Sequence, residues 1–200
     1  MSSRPMSAPD HRKRGTSASA ASKSVHTGML FALILCVMLF CVLQLSSPDG
    51  AYGAQGPEKA PLFELSDLQG KTHRLADYAG KVVVINFWAS WCPECIDEMP
   101  SLNALYEKLR GKGLVVLGIT SDRKQAPVEQ ALRRVPVSYP ILIETTGKVF
   151  IRQYTVIGLP TTVVVDRDGA IAERLVGKTD FSTAAFARKI QDLLDKGRVR

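Results

Sequence analysis

Cys92 and Cys95 stand three residues apart in Trp91-Cys92-Pro93-Glu94-Cys95, where an apolar run gives way to a helical pattern. A cysteine at a helix N-terminus faces unpaired amide N–H groups and the positive end of the helix dipole, and both stabilise its thiolate. Cys95 lies one turn further on, within the Cα separation of about 4.4–6.8 Å that a disulfide needs. Pro93 suits a first helical turn because its missing N–H has no partner there to lose. The spacing predicts an attacking Cys92 and a resolving Cys95. Glu94, between them, opposes a thiolate on Cys92 by like-charge repulsion, and a less stabilised thiolate makes a more reducing couple.

Two other chemistries use such a pair. Half of a zinc site is one, but Cys36 and Cys41 fall in a separate apolar segment and His11, His26 and His73 are scattered, so no fourfold ligand set assembles. A static disulfide is the other; it suits an oxidising compartment, yet a bridge closing so short a loop constrains the unfolded chain little. Thiol–disulfide exchange is the favoured reading, with no metal and no cofactor expected.

The elements that must hold the pair are legible from Lys59 on. Leu62–Leu65 reads as a short strand, and Asp67–Leu75 as a hairpin with Gln69-Gly70 in its turn. Val82–Trp88 is a near-continuous apolar run, as in a strand buried on both faces. A helix over Pro93–Leu109 follows, ended by Gly111 and Gly113. Then come a strand at Leu114–Thr120, a helix at Pro127–Arg134, an apolar piece at Ile141–Ile143, a helix over Lys148–Tyr154 and a strand at Thr161–Asp166. Arg167-Asp168-Gly169 turns the chain into a strand at Ala170–Val176. A last helix, Ala184–Leu194, takes Asp180 or Ser182 as its cap. This order predicts an α/β fold, a central mixed sheet flanked by helices. Phe87, Trp88, Phe150 and Phe186 are read as core, and Asp97 as a solvated first-turn acid.

Asn86-Phe-Trp-Ala-Ser-Trp-Cys-Pro-Glu-Cys95, then Asp97-Glu98-Met99-Pro100, and later Gly158-Leu159-Pro160-Thr161-Thr162, resemble the thioredoxin superfamily. Within it the pattern is similar to the membrane-tethered, extracytoplasmic TlpA/ResA-type thiol–disulfide oxidoreductases, over residues 58–195. The resemblance implies a thioredoxin-like fold with an added N-terminal β-hairpin, and thiol–disulfide exchange between Cys92 and Cys95, often in cytochrome c maturation. It also implies a cis bond before Pro160. Such a bond leaves the Leu159 backbone free to pair with an extended substrate segment, beside contacts from Trp91, Pro93 and Glu94. Glu98 matches a Glu of this type, with the role of relaying a proton to or from Cys95. Classical thioredoxins carry a buried Asp where this chain has Asn86, a departure that leaves Glu98 as the candidate proton acceptor. Expected partners are protein disulfides, with apocytochrome c the leading guess, and a membrane electron-donor protein. An oxidase running the same chemistry backwards and a non-catalytic tethered chaperone are the rival readings. A thiol peroxidase shares the fold, but its Pro and Thr ahead of the reactive cysteine are missing, since Phe87-Trp-Ala-Ser-Trp91 stands there.

Of 200 residues, 26 are Lys or Arg and 19 Asp or Glu, a net charge of +7. Arg4, Arg12, Lys13, Arg14 and Lys23 against Asp10 put +4 of it in residues 1–28. That Ser- and Ala-rich stretch has no apolar periodicity and reads as a disordered tail. Met29–Leu43 is an unbroken apolar run, and residues 29–45 form a transmembrane anchor or a signal. The basic flank before it places the tail in the cytoplasm and the rest outside, on the periplasmic side. An uncleaved single-pass anchor is favoured over a signal peptide cut near Ala51-Tyr52-Gly53, which would release a soluble periplasmic protein. Residues 46–58 are a turn-forming linker, and residues 59–197 form the thioredoxin-like domain. The basic tail is explained by the membrane rather than by nucleic acid, and a monomeric soluble domain is expected.

Overall fold

The computed structural model describes Met29, residues 32–40 and residues 56–196. They belong to two units, Met1–Ala54 and Gln55–Arg200. In the first, residues 32–40 form helix α1, with every side chain exposed. Among the described residues no helix is long and apolar enough to cross a membrane. The tail at 1–28, the proposed cleavage site and the linker up to residue 55 lie outside the described residues.

The second unit is organised by β3, Val82–Trp88, whose seven residues are all buried. A strand of Val, Ile, Phe and Trp whose one polar residue, Asn86, is also buried needs cover on both sides, and it has neighbours on both edges. The sheet order is β5-β4-β3-β6-β7. On one side β4, Leu114–Thr120, runs parallel to β3, and β5, Ile141–Ile143, parallel to β4. On the other, β6, Thr161–Val165, and β7, Ile171–Val176, are antiparallel. The mixed sheet is the expected one.

Alternation along β3 feeds two cores. Val84 and Trp88 join Cys95, Met99 and Leu102 of helix α2, Pro93–Leu109, and Ile190 and Leu194 of helix α4, Ala184–Asp195. Ile85 and Phe87 face Phe63, Val149, Phe150 and Tyr154. Among the described residues no long helix packs into that second cluster. Where a helix over Lys148–Tyr154 was expected, Lys148–Gln153 is a six-residue π-helical turn whose Val149 and Phe150 fill the core in its place. Phe87, Trp88, Phe150 and Phe186 are core residues as expected.

A separate two-stranded sheet pairs β1, Glu64–Ser66, with β2, Thr72–Arg74, in antiparallel register. The turn between them is closed by Asp67, whose Oδ1 accepts from the N–H groups of Gln69 and Lys71, both at 2.9 Å. Its Oδ2 meets His73 Nε2 at 2.8 Å, and His73 Nδ1 meets the Tyr78 hydroxyl at 2.6 Å. β1 lies at Glu64–Ser66 rather than Leu62–Leu65, so the hairpin expected within Asp67–Leu75 takes its first strand from before Asp67, and two helix N-termini also differ from the sequence reading. Helix α3, Gln125–Arg134, starts two residues before Pro127, which the helix tolerates because first-turn N–H groups have no intrahelical partner. Helix α4 is capped by Thr183, whose hydroxyl accepts from Phe186 N–H, rather than by Asp180 or Ser182. Asp180 instead accepts from the N–H and hydroxyl of Ser182.

Candidate active site

Cys92 closes β3's exit loop and is the N-cap of α2, with Pro93 at the first helical position. The two sulfurs form a disulfide with a Cα separation of 5.3 Å. Cys95 N–H donates to Cys92 Sγ at 3.2 Å. A helix-terminal amide therefore already points at the sulfur that would carry negative charge once the bridge opens. Cys92 is 6% exposed and Cys95 is fully buried, so an incoming thiol or disulfide reaches Cys92 first.

The loop that delivers Cys92 is clamped by Asp122, just past the end of β4. Its carboxylate accepts from Ser90 N–H and the Ser90 hydroxyl, both at 2.8 Å, and from the Thr120 hydroxyl at 2.6 Å. Sequence reasoning missed Asp122, because Ser90, the residue it clamps, lies 32 residues away.

Glu98 is 1% exposed on α2, one turn past Cys95. Its Oε1 accepts from Asn86 Nδ2 at 2.7 Å, and its Oε2 from Thr179 N–H at 2.9 Å. Burial pushes its pKa up to about 7; the bonds from Thr179 and Asn86 oppose the rise, nearby Glu94 adds to it, and Lys178 counters. A carboxyl poised near neutrality can take or give a proton at working pH. Asn86 and Thr179 were not read as partners of Glu98 from sequence. Asn86 is 12 residues away on β3 and Thr179 is 81 away after β7. Asp97, by contrast, is exposed and pairs with Lys178 at 2.9 Å, the solvated acid expected.

The Leu159–Pro160 bond is cis. It precedes β6, and Gly177 N–H donates to Pro160 O at 2.8 Å. A cavity of about 900 Å³ opens beside the disulfide, with Trp91, Cys92, Pro93, Glu94 and Leu159 in its wall. Trp91 at 69%, Ile151 at 62% and Ile157 at 87% exposure make its rim apolar. The far wall rests on Glu144, a buried carboxylate whose Oε1 accepts from Thr146 N–H at 2.7 Å and from the Thr146 hydroxyl. Glu144 and the π-helical turn it supports were not singled out by sequence. The structure thus gathers Trp91, Cys92, Pro93, Glu94 and Leu159 on one cavity, while Cys95 and Glu98 lie in the buried layer behind it.

A buried sulfur paired with a nearly buried one, at a helix N-terminus on a mixed sheet, is built for electron-pair exchange with an outside disulfide. The class so defined is the thioredoxin-fold thiol–disulfide oxidoreductases, and the chain is an enzyme of that class. Residues 57–174 match the AhpC/TSA family, and the chain belongs to it. It is 32% identical to the thiol-disulfide oxidoreductase ResA of Bacillus anthracis, over 81% of this chain and 96% of that protein. It is 39% identical to the ResA of Geobacillus thermodenitrificans, over 59% of this chain and 67% of that one. Among solved structures it is similar to a thiol:disulfide interchange protein of the thioredoxin family from Chlorobium tepidum. That likeness has a TM-score of 0.62 at 27% identity, over 69% of this chain and 97% of that one.

Proposed function

We propose that the protein reduces disulfides of other proteins outside the cytoplasm, held at the membrane by its N-terminal apolar segment. The carrying observation is the exposed apolar rim beside Cys92, a surface suited to a polypeptide rather than to a small polar disulfide. In the dithiol state the Cys92 thiolate attacks one sulfur of the substrate disulfide, forming a mixed disulfide and releasing the other as a thiolate. Cys95, losing its proton to Glu98, then attacks Cys92 Sγ. The substrate leaves as a dithiol, and the Cys92–Cys95 bridge holds the oxidising equivalents. A membrane dithiol donor must restore the pair.

Trp91 and Pro93 contact the bound segment, Glu94 keeps the couple reducing, and Leu159, fixed by the cis bond at Pro160, pairs with the substrate backbone. Apocytochrome c is the leading substrate by the resemblance to the TlpA/ResA type, and the apolar Met29–Leu43 run behind a basic flank supports a periplasmic, membrane-tethered placement. Replacing the resolving cysteine, Cys95→Ser, tests the reading. Mixed with a disulfide-bonded protein, the reduced variant is expected to accumulate a mixed disulfide through Cys92 that dithiothreitol releases. Absence of any such adduct, with Cys92 alkylatable throughout, contradicts it.

A further inference from the structure

Asn86 lies at the middle of β3, fully buried. Besides its bond to Glu98 Oε1, its Nδ2 donates to the Thr162 hydroxyl at 3.1 Å. Its Oδ1 has no partner among the described residues. A buried carbonyl without a donor costs stability, and a Val or Ile, as elsewhere on β3, would fill the place without that cost. What the amide adds is a donor end and an acceptor end on one pivot.

We propose that Asn86 is a positioning residue that meets Glu98 in both of its protonation states and passes the change to Thr162. While Glu98 is charged, the amide donates to Oε1, the arrangement seen. When Oε1 takes a proton, the amide turns about its terminal bond and its free Oδ1 accepts that proton's hydrogen bond. The Thr162 hydroxyl, an acceptor in the first state, donates to the same Oδ1 in the second. Thr162 is the direct cross-strand partner of Asn86 and stands two residues past Pro160. A proton taken from Cys95 is thereby registered in the strand that leaves the substrate-contacting turn. This inference rests on the reading of Glu98 as proton acceptor.

The turned amide puts its NH2 group where Oδ1 now lies without a partner, so Asn86 favours the charged carboxylate and opposes burial. Other groups that face Glu98 are Glu94 on α2, Lys178 after β7 and the buried Tyr139 hydroxyl before β5. Among the described residues only Asn86 donates to Oε1.

The test uses the oxidised protein, labelled with 13C and 15N. The Glu98 carboxyl and the Asn86 side-chain amide are followed by NMR from about pH 5 to pH 9. Both are expected to titrate with one midpoint near 7. In Asn86→Ala the Glu98 midpoint is expected to rise by about one pH unit or more, the worth of one hydrogen bond to a charged group. A merely structural Asn86 would change the unfolding temperature and leave that midpoint in place. A flat Asn86 amide beside a Glu98 that titrates near 7 overturns this inference alone, without need of the variant. Glu98 titrating near its ordinary 4.5 removes the proton-acceptor reading as well.

Discussion

Glu98→Gln makes the energetic consequence of the buried carboxyl measurable. Below its ordinary pKa of 4.5 the carboxyl holds its proton in both the folded and the unfolded chain. Between 4.5 and about 7 only the folded chain holds it, so stability falls as pH rises through that window. Above about 7 both forms are charged, and the folded state bears the whole cost of the buried charge. Raising the pKa from 4.5 to about 7, at about 1.4 kcal/mol per pH unit, makes that cost about 3 kcal/mol. Gln has no charge to bury, and its NH2 group donates to Asn86 Oδ1 as the protonated carboxyl does, while its oxygen accepts from Thr179 N–H. Glu98→Gln is therefore expected to match the native chain near pH 4 and to be more stable by about 3 kcal/mol near pH 8.5. Urea unfolding of the two oxidised proteins across that range reads the difference directly. A stability difference that stays constant with pH would refute the reasoning, because it would mean that Glu98 titrates alike folded and unfolded.

Trp91→Ala removes an exposed ring from the cavity rim and touches no core. Its unfolding free energy is expected to stay within about 0.5 kcal/mol of the native value, while KM for a disulfide-bonded protein rises and the rate with a small aromatic disulfide holds. Equal losses on both substrates would deny it a role in polypeptide binding. Gly118→Ala places a Cβ 2.7 Å from Ile141 Cδ1 and 3.1 Å from the Tyr139 ring. Overpacking of that kind is expected to cost about 1–3 kcal/mol, seen as a lower midpoint in chemical unfolding. An unchanged midpoint would show that Ile141 and Tyr139 yield freely.

The chemistry-bearing residues were legible because their signals are local. Cys92 and Cys95 sit one turn apart, Val82–Trp88 is apolar but for Asn86, and Gly158-Leu159-Pro160 carries its own backbone constraint. The groups that tune the site were not, because each acts across the fold. Asn86 meets Glu98 only after β3 packs on α2. Thr179 arrives 81 residues later in the chain, and Asp122 reaches back 32 residues to Ser90. The cap of α4 was misplaced for a related reason. Asp180, Ser182 and Thr183 are all good caps by type, and the choice of Thr183 depends on where Phe186 enters the core beside Phe181. The π-helical turn at Lys148–Gln153 has a helical residue pattern, and the edge-on packing of its Phe150 against Phe87 at 4.9 Å is a tertiary contact that pattern does not show.

The direction of exchange is the centre of the account, and the equilibrium reduction potential of the Cys92/Cys95 couple tests it most directly. The fragment spanning residues 56–196, poised against thiol buffers, is the sample to measure. Disulfide exchangers of this fold run from about −270 mV in reducing members to about −120 mV in strong oxidants. With Glu94 and Glu98 both placing negative charge near the pair, the couple is expected at the reducing end. A value near the oxidising end would contradict the reductase and make the protein a disulfide donor.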